Sequence, residues 1–278
     1  MVVLPARRVD YLKLLQQLGD TMSNRIVWKG LWWLCLVAAP IVLVTIELFH
    51  PAGFTRTDAH PNAPGMYEYL HKPELYDPTF KALAYPGPDW WFTLHMIQTP
   101  MVGLVAIGLW LLASRVIDAD GVLPNLLAWL SRVSTFVFVV YYTSLDAIGG
   151  FGLGRTIINT ETLKAAGKLN EDQMTGVELV LNTTWVDPWV GGVGSFISLT
   201  GSWAVFIASA LLALALLLAN KAPWPALILL VVFGWELQTS HTMPYGPIAF
   251  SLLIVAALWM AWAEHRANHL LPAPSASA

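Results

Sequence analysis

An apolar stretch close to the length of a membrane-crossing helix recurs six times along this chain. A hydrocarbon core about 30 Å thick takes about 20 mostly apolar residues in a helix. The pattern predicts spans at 30–49, 90–113, 123–144, 223–238 and 247–263, with a further span inside the uncharged run 189–220, starting near Ser198. The stretch 223–238 is the shortest. The expected fold is therefore all-α: a polytopic bundle of about six transmembrane helices forming one integral membrane domain over 1–278.

Composition supports this reading. Hydrophobic residues make up 56% of the chain and charged residues 12%, about half the charged share of a soluble globule. So apolar a chain, with 14 Trp and a net charge of -3, excludes intrinsic disorder. Fifteen Lys and Arg against eighteen Asp and Glu leave no basic surplus to displace counterions from nucleic acid. The single cysteine, Cys35, excludes an intrachain disulfide and cysteine-based metal clusters.

The opening segment is polar and carries Arg7, Arg8, Lys13, Arg25 and Lys29, unlike a cleavable signal peptide, so the first span reads as a retained anchor. These cations place the amino terminus in the cytoplasm by the positive-inside rule, and six crossings return the carboxyl terminus to the same side. The expectation is a multi-pass protein of the plasma (inner) membrane. Residues 1–29 and 264–278 are then cytoplasmic, and 51–89 and 145–188 are extracytoplasmic loops. The first loop, rich in Pro and Tyr, reads as an ordered cap, and 160–182 as a helix along the membrane surface. Tryptophans 28, 32, 33, 90, 91, 185, 189, 224 and 235 fall near span ends, as an interfacial aromatic belt requires.

Ionisable groups in hydrocarbon are costly and mark sites by default. Here they gather at one level. The three outward-running spans end with Glu47, Asp146 and Glu236, His50 and His241 follow two of them, and the second span begins with His95 and Gln98. Glu47 and His50, like His95 and Gln98, are three apart and share a helix face. Pro100 should bend the second span beside them and open space for a ligand.

Neutral imidazole and carboxylate are ligands for zinc, iron and copper and also relay protons. Glu47, His50, His95 and His241 are the candidate metal ligands. Haem b would take His95 with His50 or His241 as axial ligands, while Gln98, Asp146 and Glu236 would line the pocket or pass protons. A carboxylate-bridged di-iron site is not encoded, because it takes two Glu-x-x-His elements and two further Glu. The plainer reading is a structural polar cluster: helix ends tolerate polarity, and His50-Pro51 marks a helix stop.

Other motifs carry less. His265 and His269 sit just past the last span without a third ligand, and the glycine run 149–154 lacks the Gly-Lys-Ser/Thr ending of a phosphate loop and reads as a tightly packed helix terminus. Asn182-Thr183-Thr184 matches a glycosylation acceptor, and Arg155 reads as a surface cation. The leading functional expectation is redox chemistry on a lipophilic substrate at a metal or haem in an outward-facing pocket. The alternatives are an accessory subunit docked on partner subunits in the bilayer, and a small proton-coupled transporter using Asp146 or Glu236.

Overall fold

The computed structural model describes residues 26–50, 65–71, 88–117, 121–192 and 194–270. Among them every regular element is helical. We number the helices α1 (Ile26–Glu47), α2 (Met66–His71), α3 (Pro88–Ser114), α4 (Val122–Leu145), α5 (Leu153–Ala165), α6 (Glu171–Trp185), α7 (Phe196–Leu218), α8 (Trp224–Thr239) and α9 (Tyr245–Leu270). With no water in a bilayer core, a spanning helix satisfies its own backbone donors and acceptors, which is why apolar runs of this length fold this way.

Five segments are long and apolar enough to cross a membrane: α1, α3, the continuous run Val122–Ala165, α7 and α9. The sixth expected span is the 16-residue α8, about 24 Å long at 1.5 Å per residue, and it is the short one the sequence indicated. Successive long helices alternate in direction. In space the six make a closed ring in the order α1, α3, α4, α7, α8 and α9, with α9 packed back on α1. The ring encloses a continuous apolar core that includes Leu36, Val105, Leu109, Phe138, Leu212 and Leu253.

Close approach between helices depends on small residues, as it does wherever lipid offers no hydrophobic drive to associate. Ser131 of α4 donates to the Ala208 carbonyl of α7 at 2.8 Å. A Cβ on Gly201 would stand 3.2 Å from the Tyr142 nitrogen. One on Gly234 would stand 2.8 Å from the Ser209 side chain and 3.1 Å from the Phe206 Cα.

Several sequence expectations need correction. Residues 145–188 are largely helical. The third span continues through a π-helical turn, Asp146–Gly152, into α5 and runs to Ala165. The glycine run is thus an internal widening of a helix, not its terminus. Nor is 160–182 a single surface helix, because Gly167, at φ 66°, reverses the chain. α6 then starts afresh on a reciprocal capping box between Asn170 and Gln173. Pro100, expected to bend the second span, lies inside the continuous α3. A second π-helical turn, Leu34–Ala38, precedes Pro40, whose missing N–H leaves the Leu36 carbonyl without its usual donor. Most of the 51–89 loop and the segments 1–25 and 271–278 lie outside the described residues.

The α7–α8 contact is testable through its glycine. Gly234→Leu must push the helices apart or distort rotamers, at a cost of about 1–3 kcal/mol, typical of overpacking. The expected result is a lower thermal aggregation midpoint in detergent than for wild type. An unchanged midpoint contradicts the contact.

Candidate functional site

The end of α1, the start of α3, the π-helical turn Asp146–Gly152 and the link after α8 meet at the same end of the ring, and there they line a cavity of about 50 Å³, room for a few water molecules. His50, His95, Asp146 and His241 all line it. His50 follows the last turn of α1, and its ring centre lies 5.1 Å from that of His95 and 4.9 Å from that of His241. His95 Nδ1 lies 2.7 Å from the Trp91 carbonyl one turn earlier in α3, which fixes the ring and leaves Nε2 for other work. The link after α8 brings in His241, and Gly246 is required there because a Cβ would stand 1.7 Å from the His241 carbonyl oxygen. Burial in this setting, with the His95 imidazole beside it, presses the His241 pKa down to about 3 and keeps the ring neutral.

Two carboxyls are buried in the same region. Thr99 Oγ1, one turn after His95, lies 2.8 Å from Asp146 Oδ2 and 3.0 Å from the His95 carbonyl, so its proton serves two acceptors. Glu47 is wholly buried within electrostatic reach of Asp146, and among the described residues neither of its carboxyl oxygens has a hydrogen-bond partner. Gln98 donates through Nε2 to the Tyr142 hydroxyl, while its buried Oε1 lacks a partner among the described residues. The Tyr142 ring in turn lies 5.5 Å from that of His241. Among the described residues no Lys or Arg lines the cavity.

Aromatic and small residues shape the walls. Trp91 donates to the Gly149 carbonyl at 3.0 Å, tying α3 to the π-helical turn. A Cβ on Gly150 would stand 2.4 Å from the His95 ring, so the glycine admits the imidazole. Gly192 makes the same allowance for Trp185, at 2.4 Å. The loop holding Gly192 is braced by Asp187, whose carboxylate accepts from the Val190 and Trp189 backbone N–H groups. Those two bonds hold the Asp187 carboxyl below the usual range. Over the cavity lies α2, anchored by the Met66 N–H to Asn182 Oδ1 at 2.7 Å and by the Tyr67 hydroxyl to Glu161. Met66, Tyr69 and Leu70 close an apolar cluster with Trp91, Leu153, Ile157 and Leu181.

Of the seven residues singled out in the sequence, four line the cavity, while Glu47 and Gln98 are buried but not part of its lining. Glu236 is not brought in. It is half-buried on α8, and the turn of that helix spends its inward positions on Phe233, Gly234 and Leu237. Among the described residues no three His, Cys, Asp or Glu side chains are already drawn together as metal ligands. The histidine rings meet edge to face. The His50 ring stands about 5 Å from those of His95 and His241, centre to centre.

Trp91, Thr99, Tyr142, Gly150 and Trp185 belong to the site without having been singled out for it. Four of these stand one helical turn from a named residue, Trp91 and Thr99 on either side of His95 and Tyr142 and Gly150 on either side of Asp146, and that spacing is a usable signal. Trp185 carries no such signal. The aromatic-belt expectation fits the exposed Trp28, Trp33, Trp189, Trp224 and Trp235, whereas Trp91 and Trp185 are cavity walls. Comparison with protein-family models, with curated proteins and with solved structures returns no match.

The Gly150 contact makes the histidine geometry testable. Gly150→Ala should shift the ring resonances of His95 and His50 in histidine-labelled protein, whereas Gly176→Ala, with open space around its Cβ position, should leave them in place. Equal spectra for the two variants contradict the packing.

Proposed function

We propose that this chain is an integral protein of the plasma (inner) membrane that binds one transition-metal ion in the cavity through His50, His95 and His241, for chemistry on a small lipophilic molecule. The observation that carries the reading is the spacing of the rings. Imidazoles bound tetrahedrally through nitrogens ~2 Å from a metal have ring centres roughly 5 Å apart, and His50 stands 5.1 and 4.9 Å from its two partners. Ligation then needs the rings to turn about their Cβ–Cγ bonds, with little demand on the backbone. The carbonyl that holds His95 Nδ1 is the kind of outer partner that orients a metal-bound imidazole. Three nitrogen ligands leave a coordination position for water or substrate.

Asp146 and Glu47 are buried carboxyls near the histidines, and loss of their protons on metal binding would offset the charge of a cation. The wall of Met66, Leu70, Trp91 and Trp185 favours an apolar substrate over a charged one. The proton-coupled transporter is less well supported. Between the cavity and the far end of the ring the interior is mainly apolar, interrupted by the hydroxyls of Ser131, Thr135 and Ser209, and among the described residues no buried acid or histidine continues the path. Nothing specific favours an accessory subunit, since the exposed tryptophans and aliphatic residues suit lipid.

Elemental analysis of chelator-free purified protein tests the reading. It should find about one transition-metal ion per chain, lost in His95→Ala and retained in His265→Ala. Added metal should raise the melting midpoint of wild type but not of His95→Ala, as binding to the folded state alone requires. Wild-type protein without stoichiometric metal, and with a midpoint indifferent to added metal, overturns it.

A further inference from the structure

At the end of the ring opposite the histidine cavity is a second, larger recess, of about 660 Å³, where the first turns of α1 meet the last turns of α3 and α9. Its chemistry is split. Trp28, Trp32 and Trp33 with Leu111 and Ala261 give it an apolar wall, and Lys29 and Arg115 bring cations to its edge. Arg115 Nη2 is bonded to Glu264 Oε2 at 3.0 Å. A guanidinium has five N–H donors, so this pair leaves several of them for a further acceptor. Lys29 is exposed. Trp32 Nε1 is buried and, among the described residues, has no acceptor. A third cation stands behind the first two, since Arg132 Nη2 donates at 2.7 Å to Ser114 Oγ, and Ser114 is itself part of the lining.

A ligand that satisfies all of this has an anionic oxygen-rich head and an apolar tail. The recess lies at the ends of three spanning helices, the level of lipid headgroups, where basic pockets between helices take up anionic lipids. We propose that it binds the phosphate of an anionic phospholipid, with Lys29 and Arg115 facing the phosphate oxygens, the Trp32 indole N–H donating to one of them, and Trp28 and Trp33 lying along the glycerol and upper acyl chain. The site is independent of any metal at the other end. It ties α1, α3 and α9 together through a lipid where the helices diverge.

Native mass spectrometry of the full chain tests the proposal, after delipidation in detergent and titration with phosphatidylglycerol or with phosphatidylcholine of the same acyl chains. Phosphatidylglycerol should be retained selectively. Lys29→Gln and Arg115→Gln should each weaken its retention roughly fivefold, the effect of one cation near an anionic headgroup. Lys221→Gln, which removes a lysine at the same end but outside the recess, should leave retention unchanged. Because Lys29 is exposed, its substitution does not disturb the core. Equal retention of the two lipids, equal weakening by Lys221→Gln, or displacement of the lipid by inorganic phosphate alone overturns the proposal.

Discussion

Burying carboxyl and imidazole groups inside an apolar bundle is the constraint on which this molecule turns. Each such group must find a hydrogen-bond partner, a proton or a ligand, since hydrocarbon supplies none of the solvation it loses. The chain meets this demand by collecting the groups at one end. Asp146 leans on Thr99, His95 on the Trp91 carbonyl and Gln98 on Tyr142, so that α3 is cross-linked to α4 and to the π-helical turn after it by polar contacts in the same layer. Glu47, like Gln98 Oε1, has no hydrogen-bond partner among the described residues. The layer is then covered by α2, α5 and α6, which seal it with an apolar cluster of their own.

The two ends of the ring do different things with the same raw material. At one end, aromatic rings wall a small cavity of titratable groups. At the other, tryptophans and cations frame a broad recess suited to an amphiphile. Between them, small residues such as Gly201 and Gly234 let α4, α7 and α8 approach closely, and apart from the hydroxyls of Ser131, Thr135 and Ser209 the interior is mainly aliphatic and aromatic. A molecule built this way separates its chemistry from the opposite face of the membrane, which suits a one-sided site better than a path across it.

Much of this was legible in the sequence, because membrane spans are written in length and hydropathy, which need no knowledge of contacts. All six helices of the ring fall where apolar runs predict them, and alternation of direction then puts His50, His95, Asp146 and His241 on one level. Glu236 shares that level and fails to join, because level fixes height while the rotation of α8 about its axis decides which side chains face inward. The extent of α5 was hidden by its glycines. Gly149, Gly150 and Gly152 read as breakers in sequence, yet they lie inside a widened helix where α3 presses against it. The ring contacts among the histidines depend on side-chain rotation and on the path of the 240–244 link, neither of which periodicity encodes.

The claim beneath the rest is that residues 50 and 241, far apart in sequence, face each other across one cavity. Short-range thiol cross-linking measures this directly in a Cys35→Ser background, which removes the chain's one native cysteine. Treated in membranes with the shortest bifunctional thiol reagent, the double variant His50→Cys with His241→Cys should be bridged within the chain, and His50→Cys with His265→Cys should not. Bridging of neither pair, or of both equally, would contradict the arrangement of the helices described above.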